Sequence, residues 1–294
     1  MKIKYKEEIR EAEEGTRVNE LFKKEIEESD VDIIACKVNN EIKRLQYKLK
    51  DDGEIELINI GTKDGMRIYR RGLVYIVAKA IREVYPKALL TVKYQLHHAL
   101  LCEIENMEIT DEVMEKINQR VAEIVASDLP ITKKTMTREE AEEFYERENT
   151  LKGKLQLDTQ DKKGVTLYYC ENYYNYFYGI LPISTGYAKK YEIVKYHDNR
   201  FLIRFPSSKT PTILEQFKES PKLLKTLDEY EELHKIFDIN TVDKLNKSIR
   251  ENKIKEYILL DEALHEKKIV QIADNIVKNE DIKVVAIART VFFR

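Results

Sequence analysis

IIACKVNNEIKRLQYKLKDDGEIELINI, residues 33–60, holds two apolar runs that decide the fold of the first part of the chain. The runs at 33–38 and 54–60 are short and rich in isoleucine and valine, a composition that predicts strands. Asn39-Asn40 and Asp51-Asp52-Gly53 supply turn residues after the first run and before the second. The stretch therefore predicts strands joined by tight turns.

Upstream, the sequence adds one more strand and a helix. KIKY at positions 2–5 alternates as a strand does, and Glu13–Gly15 marks a turn. VNELFKKEI at 18–26 places its apolar residues at helical spacing, with Thr16 as the predicted N-cap. A strand, a helix and a meander of strands within residues 1–61 outline a β-grasp domain.

Residues 62–206 predict a second domain of mixed α+β structure. A long helix near 66–84 ends before Pro86, which cannot continue it. Thr110 can cap a helix at 111–126, and Thr137 with Glu140 forms a capping box for a short helix through Glu146. The remaining predicted elements are strands: 89–94, 98–105, 165–170, 187–197 and 200–205.

From residue 207 the pattern changes to long amphipathic segments, which predict a helical connector over 207–280. Its predicted helices are 213–237, 242–251 and 259–278. DIKVVAIA at 281–288 is a short apolar run typical of a buried strand, and RTVFFR follows it.

Composition excludes several classes of protein. Apolar residues make up 43% of the sequence and charged residues 35%, and the net charge of −2 gives no general attraction to nucleic acid or membrane. No apolar run approaches the 18 residues of a membrane span, and the charged start does not resemble a signal peptide. The three scattered cysteines predict reduced, buried thiols and a cytoplasmic location.

Several segments, in order, resemble the first two modules of threonyl-tRNA synthetases. VNNEIKRLQYKL (38–49) resembles their N-terminal TGS module. Four segments resemble the second domain of these synthetases, often called SAD: Val84-Tyr85-Pro86, DLPI (128–131), TREEA (137–141) and PISTGY (182–187). Four further segments resemble uridine-kinase-like proteins that fuse these modules to a P-loop nucleoside kinase: TKDGMRIYRR (62–71), NYFYG (175–179), FKESPKLL (217–224) and EALHEKKIVQIAD (262–274).

This resemblance implies a kinase beginning at the strand KVVAIA, with ATP and Mg²⁺ as its cofactors. The phosphate-binding motif GxxxxGK[ST] should follow, because its backbone amides and lysine hold the phosphates. Residues 289–294 carry neither glycine nor lysine. We therefore expect 281–294 to be a remnant of the first kinase strand plus an unrelated tail, and we expect no cofactor and no ATP turnover.

The resemblance also implies an editing cleft, in which mischarged tRNA is hydrolysed by groups of HxxxH and CxxxH motifs. These positions fall here on Arg71 and Tyr75, and on Phe177 and Leu181. Leucine and phenylalanine neither bind metal nor move protons, and arginine stays protonated. We expect the cleft to persist without its hydrolytic chemistry. A metal at His97, His98 and Cys102 is also disfavoured, because neighbouring strand residues point to opposite faces.

Tyrosines crowd the segment 168–196, interleaved with lysine and arginine. Such a pattern suits a groove in which rings stack on bases and cations hold phosphates, although most of these rings are expected to fill a sheet core. Arg67 is included because a cation at a helix start is disfavoured unless it serves an anion. The candidate ligand-cleft residues are Arg67, Arg71, Tyr75, Tyr173, Tyr174, Tyr176, Phe177, Tyr178 and Gly179.

Three functions remain open at this point. The first is a non-catalytic region of a uridine-kinase-like protein that senses a nucleotide or RNA-like ligand. The second is a free-standing tRNA-binding or trans-editing factor related to threonyl-tRNA synthetase, which the missing histidines and cysteine weaken. The third is a structural region that forms a homodimer.

Overall fold

The computed structural model describes residues 1–105, 107–147, 157, 164–197, 199–279 and 281. The chain divides into two compact units, one comprising Met1–Asn149 and Lys162–Ser220, the other Thr150–Asp161 and Pro221–Arg294. The architecture is α+β, with three sheets in the first unit and helices in the second.

The elements are numbered in chain order. The described strands are β1 (Lys2–Tyr5), β2 (Glu8–Glu11), β3 (Ile33–Val38), β4 (Glu41–Lys43), β5 (Gly53–Asn59), β6 (Leu90–Leu96), β7 (Ala99–Ile104), β8 (Thr132–Thr137), β9 (Gly164–Cys170), β10 (Tyr173–Tyr176), β11 (Glu192–Tyr196) and β12 (Arg200–Arg204). The described helices are α1 (Val18–Leu21), α2 (Lys23–Glu27), α3 (Lys63–Val84), α4 (Asp111–Ala126), α5 (Arg138–Arg147), α6 (Pro221–Ile236), α7 (Val242–Arg250) and α8 (Ile254–Lys278).

The first sheet has five strands in the order β2-β1-β5-β3-β4, with β1 parallel to β5 and all other neighbours antiparallel. The two strands that decided the fold in the sequence, β3 and β5, are neighbours in one sheet, as the β-grasp prediction requires. Ile3, Val18, Phe22, Leu45 and Ile55 are buried together between this sheet and the segment that carries α1 and α2.

Two local predictions in this sheet are wrong. The helix expected over 18–26 is interrupted at Phe22, and its N-cap is Arg17 rather than Thr16. The backbone of Thr16 is engaged elsewhere, because its carbonyl accepts from Leu49 N at 2.9 Å. The strand β2 was not predicted, since three of its four residues are charged; it is specified by its antiparallel pairing with β1.

The helix α3 confirms the long helix of the second predicted domain but begins three residues earlier. Thr62 caps it by accepting from Gly65 N at 3.0 Å. The predicted β6–β7 hairpin, α4 with its Thr110 cap, and the Thr137/Glu140 capping box of α5 are also confirmed. One core joins α3 and α4 to the four-stranded sheet β11-β12-β7-β6.

Further predictions need correction. Only residues 192–196 of the stretch 187–197 form a strand, because the stretch begins in a 3-10 turn at Thr185–Tyr187. The Oγ1 of Thr185 holds this turn in place: it donates to Ile124 O at 2.7 Å and accepts from Leu129 N at 2.8 Å. His97 and His98 lie in the β6–β7 turn, not on a strand, with His97 at φ 53°. The three-stranded sheet β10-β9-β8 includes two strands, β8 and β10, that were not predicted.

The second unit confirms α7 and α8, while the helix predicted at 213–237 starts only at Pro221. The preceding loop is held in another conformation, because Glu215 accepts from the hydroxyls of Ser207 and Thr210 at 3.0 and 2.7 Å. The predicted strand remnant lies outside the described residues from position 282 onward. Within the described ranges, no helix combines the length and apolar character needed to cross a membrane.

Candidate functional site

One face of α3 forms the wall of the candidate cleft. Arg71, Tyr75 and Lys79 follow one another at spacings of four, so their side chains lie in one row along the helix. Tyr75 and Lys79 are fully buried, whereas Arg71 is half-buried. The row runs from a solvent-accessible rim into the protein.

Tyr75 is held on both its hydroxyl and its ring. Its Oη lies 3.1 Å from Tyr168 O and 3.2 Å from Tyr173 O, and its ring meets those of Tyr173 and Phe177 edge-on, with centroids 5.1 and 5.8 Å apart. Burial raises the pKa of the Tyr75 phenol far above its ordinary value. The phenol is therefore a neutral hydrogen-bond donor and not a proton acceptor.

The centre of the cleft is filled with side chains. Leu181 is fully buried and packs in one cluster with Tyr75, Ile131, Tyr168 and Cys170, against which Phe177 also packs. Tyr75, Phe177 and Leu181, three of the four positions that the resemblance assigned to the hydrolytic groups, thus meet in this cluster. They form an apolar core where metal or nucleophilic chemistry would need polar ligands.

The fourth position, Arg71, lies at the rim beside Gly179. Gly179 has φ +84°, a conformation that favours glycine, and a Cβ placed there would stand 2.7 Å from Arg71 Nη1, so the guanidinium lies close against this backbone. Arg71 forms no hydrogen bond or ion pair with the described residues. Tyr178, the residue before Gly179, is 62% exposed. The rim therefore presents an unpaired cation next to an exposed ring.

The structure separates the predicted tyrosines onto two sides of the β10-β9-β8 sheet. Tyr173 packs toward α3, and burial raises its pKa to about 12. Tyr174 instead contacts Phe144 of α5, with ring centroids 4.2 Å apart, and Tyr176 meets Tyr178 at 4.9 Å. Of the nine tyrosines between 168 and 196, Tyr168 is buried, Tyr178 is exposed and the others are half-buried, so most of these rings do not lie in a sheet core. Tyr174 in particular contacts α5 and not Tyr75.

Two arginines at the start of α3 have partners of their own. Arg67 pairs with Asp64 at 3.2 Å on the protein surface, which offsets the unfavourable charge at the helix start. Arg70 donates to Gln95 and packs over the ring of Phe205. Neither contact involves the rim formed by Arg71 and Gly179.

Sequence reasoning missed an ion network around the buried Lys79 ammonium beside the cleft. Lys79 Nζ lies 2.5 Å from Glu83 Oε1 and 2.9 Å from Glu171 Oε2, and Arg120 Nε donates to Glu83 Oε2 at 2.8 Å. Burial alone would lower the pKa of Lys79, but the bonds from the two glutamates outweigh it and raise the pKa. The i, i+4 spacing of Lys79 and Glu83 was a readable signal; the approach of Glu171, 92 residues away, was not.

Arg44 was also missed, and it contacts the cleft from the first sheet. Its Nε donates to Leu181 O at 3.1 Å, and its Nη2 donates to Pro182 O at 2.7 Å and to Ile131 O. The guanidinium stands over the ring of Tyr168, 5.7 Å from its centroid. Because the partners lie 87 to 138 residues away, no local pattern could have identified it.

No cluster of three or more histidine, cysteine, aspartate or glutamate side chains suited to a metal ion occurs among the residues that the structure describes. Cys36, Cys102 and Cys170 are free and buried, as predicted. Burial raises the pKa of the Cys36 thiol to about 12, so this thiol is not an activated nucleophile.

Comparison with known proteins finds threonine–tRNA ligases among the relatives of this chain. The threonine–tRNA ligase of Aquifex aeolicus is 31% identical over 163 residues, which is 54% of this chain and 24% of the ligase. That of Desulforamulus reducens is 25% identical over 188 residues, or 63% of this chain and 30% of the ligase, and threonine–tRNA ligase 1 of Bacillus subtilis is 28% identical over 163 residues, or 55% and 25%. About half of this chain is related to threonyl-tRNA synthetases.

The matched relatives are much longer proteins, and this chain spans about a quarter to a third of their length. No protein-family model matches the chain. The similarity supports a threonyl-tRNA-synthetase-like domain within an α+β chain, and the whole activity of a ligase does not follow from it.

Proposed function

We propose that this chain binds tRNA through a threonyl-tRNA-synthetase-like domain and does not hydrolyse aminoacyl-tRNA. The observation that carries the proposal is the half-buried Arg71 guanidinium, which is unpaired within the described residues and lies close to Gly179 at the rim of the cleft. The relatives are named as tRNA ligases, which favours this hypothesis over a region of a uridine kinase.

The rim suits a phosphate and a base. A planar guanidinium donates two parallel hydrogen bonds to phosphate oxygens, and an unpaired one has no internal bond to give up first. The exposed ring of Tyr178 offers a stacking surface for a base, with Phe177 beside it on the inner side. Together they fit the sugar-phosphate backbone of a single-stranded RNA end.

The absence of hydrolysis follows from the residues in the centre. Tyr75 and Leu181 fill the space that a reacting ester would need, and the phenol of Tyr75 has a raised pKa that prevents it from acting as a base near neutral pH. Binding and catalysis are therefore separated: the rim offers a contact for RNA, and the interior offers no group that could hydrolyse an ester.

A binding measurement with a matched control tests the rim. Fluorescence anisotropy with labelled tRNA compares the wild type with two variants, Arg71→Gln and Arg67→Gln. Arg67→Gln is the control, because it removes the same charge one helical turn away and Arg67 is already paired with Asp64. Glutamine removes the charge and one of the two parallel hydrogen bonds to phosphate. We therefore expect Arg71→Gln to weaken binding at least about tenfold and to reduce the slope of log K against log salt by about one. Arg67→Gln should change little.

Equal losses in both variants would mean that binding is a diffuse charge effect, and tRNA binding unaffected by Arg71→Gln would refute the site. Hydrolysis is tested separately with seryl-tRNA. We expect deacylation no faster than in buffer, and a faster rate would overturn the non-catalytic part of the proposal.

We further propose that the first sheet is the TGS-like β-grasp that the sequence resembles. Its support is the strand order β2-β1-β5-β3-β4 with β1 parallel to β5.

The hypotheses of a nucleotide sensor in a uridine-kinase-like protein and of a homodimerisation region stay predictions. Competition of tRNA binding by uridine or cytidine nucleotides tests the first, and the mass of the chain in solution tests the second.

A further inference from the structure

The helix α8 presents apolar side chains to solvent along most of its length. None of its 25 residues is buried, and seven of its large apolar residues are between 38% and 83% exposed. These seven are Ile258, Leu259, Leu260, Ile269, Val270, Ile272 and Val277. Apolar residues scattered singly over a surface are ordinary, but several on one helix mark a contact surface.

The helix α6 contacts one side of α8 and leaves the other side open. The ring of Tyr257 stacks on that of Phe237, which follows α6, with centroids 5.5 Å apart, and Lys268 pairs with Glu229 of α6. Tyr257 and Lys268 are separated by about three helical turns, so they mark one side of α8. At about 100° per residue, six residues lie on the opposite side. We call them the α8 seam: Leu259, Ala263, Glu266, Val270, Ala273 and Val277.

The α8 seam has the spacing of a surface that pairs with another helix. Its six residues are all exposed, and they follow one another at intervals of 4, 3, 4, 3 and 4 residues. Alternating intervals of three and four are the heptad spacing with which two helices pack side by side. Glu266 is the one charged residue of the seam, and the other five are apolar.

The sizes of the seam residues are symmetric. A second α8 that runs antiparallel, with its two-fold axis at position 268, pairs the residues as follows: Leu259 with Val277, Ala263 with Ala273, and Glu266 with Val270. Large apolar residues then meet at the two ends, and alanines meet between them. A two-fold interface requires this self-complementarity, because the same patch contacts itself.

The charges of α8 favour the same orientation. Residues 254–266 carry one lysine and four carboxylates, a net charge of −3, whereas residues 267–278 carry three lysines and one carboxylate, a net charge of +2. An antiparallel pair places each acidic half beside a basic half, while a parallel pair would place like charges together. Glu266 then lies within about one helical turn of Lys267 of the second copy, so the charged residue of the seam gains a partner.

We propose that α8 pairs antiparallel with α8 of a second copy through the α8 seam. The seam is about 27 Å long, and a second helix of the same length covers it from end to end. Six seam residues per copy are few beside the roughly 20–30 residues a side of a stable complex, so the dimer forms reversibly. We expect its Kd to be on the order of micromolar. This association is independent of tRNA binding at Arg71.

Sedimentation equilibrium of the full chain, from about 1 to 100 µM, measures the association. We expect the fraction of dimer to rise with concentration. Val270→Asp should abolish the dimer in this range, because it places a carboxylate opposite Glu266 of the second copy. Glu266→Leu should tighten it at least about tenfold, because the seam becomes wholly apolar. Ile272→Asp is the matched control, since Ile272 is an exposed apolar residue of α8 outside the seam, and it should dimerise as the wild type does.

Disulfide cross-linking tests the orientation. The antiparallel pair places Ala263 opposite Ala273 of the second copy, whereas the two copies of Ala263 stand about 15 Å apart, too far for a disulfide. An equal mixture of Ala263→Cys and Ala273→Cys should therefore cross-link under mild oxidation, and neither variant should do so alone. The native cysteines are buried and should not interfere. Cross-links within each variant alone would indicate a parallel pair and would contradict the proposal.

Three outcomes of the sedimentation series would also overturn it. The full chain could remain monomeric at every concentration, or Val270→Asp and Ile272→Asp could lose the dimer equally, or the dimer could persist in Val270→Asp. If the full chain is monomeric and a chain without residues 282–294 dimerises, that segment of the same chain covers the seam, and a second copy does not.

Discussion

Replacing both Glu83 and Glu171 by glutamine would leave the Lys79 ammonium buried beside two neutral partners. Lys79 is 0% exposed and lies 2.5 and 2.9 Å from the two carboxylates, and glutamine keeps an acceptor oxygen at each place. The double variant therefore removes the compensating charge while retaining hydrogen-bonding groups. It measures what an unpaired buried charge costs in this protein.

The expected loss follows from burial. Removing the partner of a buried ion costs about 3–5 kcal/mol when both are out of contact with water. Here the glutamate side chains are 30% and 49% exposed, so water still reaches the network. We expect a loss of about 2–4 kcal/mol in the free energy of unfolding. In a unit of this size that corresponds to a fall in Tm of roughly 5–15 °C.

Lys79→Met provides the contrasting variant. It removes the buried charge itself and leaves two carboxylates that remain partly hydrated, one of them still bonded to Arg120 at 2.8 Å. We expect a loss below about 1.5 kcal/mol, since apolar replacement of a buried ion is often nearly neutral. Glu123→Gln, an exposed partner of Arg120, controls for surface charge.

Urea and thermal unfolding, followed by near-ultraviolet circular dichroism of the tyrosines, measure all four proteins. The reasoning is refuted if Lys79→Met destabilises the protein as much as the double glutamine variant. That result would mean that the aliphatic stem of Lys79 and its packing stabilise the structure, and that the ion network does not.

Four further outcomes are expected. Arg44→Met should lower the free energy of unfolding by about 3 kcal/mol in urea, because three carbonyls lose a charged donor, and Arg44→Lys should restore only part of it; a loss below 0.5 kcal/mol would contradict the geometry. Thr62→Ala should cost about 1 kcal/mol at the start of α3, with Thr62→Ser close to wild type in the same urea assay. Burial alone would raise the pKa of Glu83, but its bonds to Lys79 and Arg120 lower the pKa below the ordinary 4.5. The ionised Glu83 therefore stabilises the fold above pH 4.5, and this contribution is lost as the pH falls through the lower folded pKa. The stability of Glu83→Gln should consequently fall less steeply in acid. The three buried thiols, those of Cys36, Cys102 and Cys170, should not react with a disulfide reagent at pH 8 until the protein unfolds. Rapid labelling of the native protein would contradict their burial.

The sequence predicted those elements whose signals are local. Thr110 and the Thr137/Glu140 pair lie within a few residues of the amides that they cap, and the apolar face of α3 repeats with the helical period. The strand β2 shows the opposite case, because its charged residues become a strand only by pairing with β1. Tertiary pairing there outweighs local preference.

The candidate site shows the same contrast between features with a sequence signal and features that depend on long-range packing. The resemblance to threonyl-tRNA synthetases assigned Arg71, Tyr75, Phe177 and Leu181 to one cleft. The structure joins Tyr75, Phe177 and Leu181 in one cluster and places Arg71 beside Gly179. That the centre would be closed by Leu181 depends on packing between segments about 100 residues apart. The same distance hid Glu171 from Lys79, since sequence patterns report neighbours along the chain and not across it.

The bonds from Arg44 bear on how this protein can be dissected. A chain cut after residue 61 would lose the donor for Leu181 O, Pro182 O and Ile131 O, and it would also uncover the side of α3 on which Ile34 and Ile58 pack. Excision of the first sheet would thus leave bare acceptors and apolar surface on the remainder, which would favour aggregation over a soluble fragment. Expressing the remainder alone would therefore require redesign both of the carbonyls that Arg44 satisfies and of the apolar side of α3 that Ile34 and Ile58 cover.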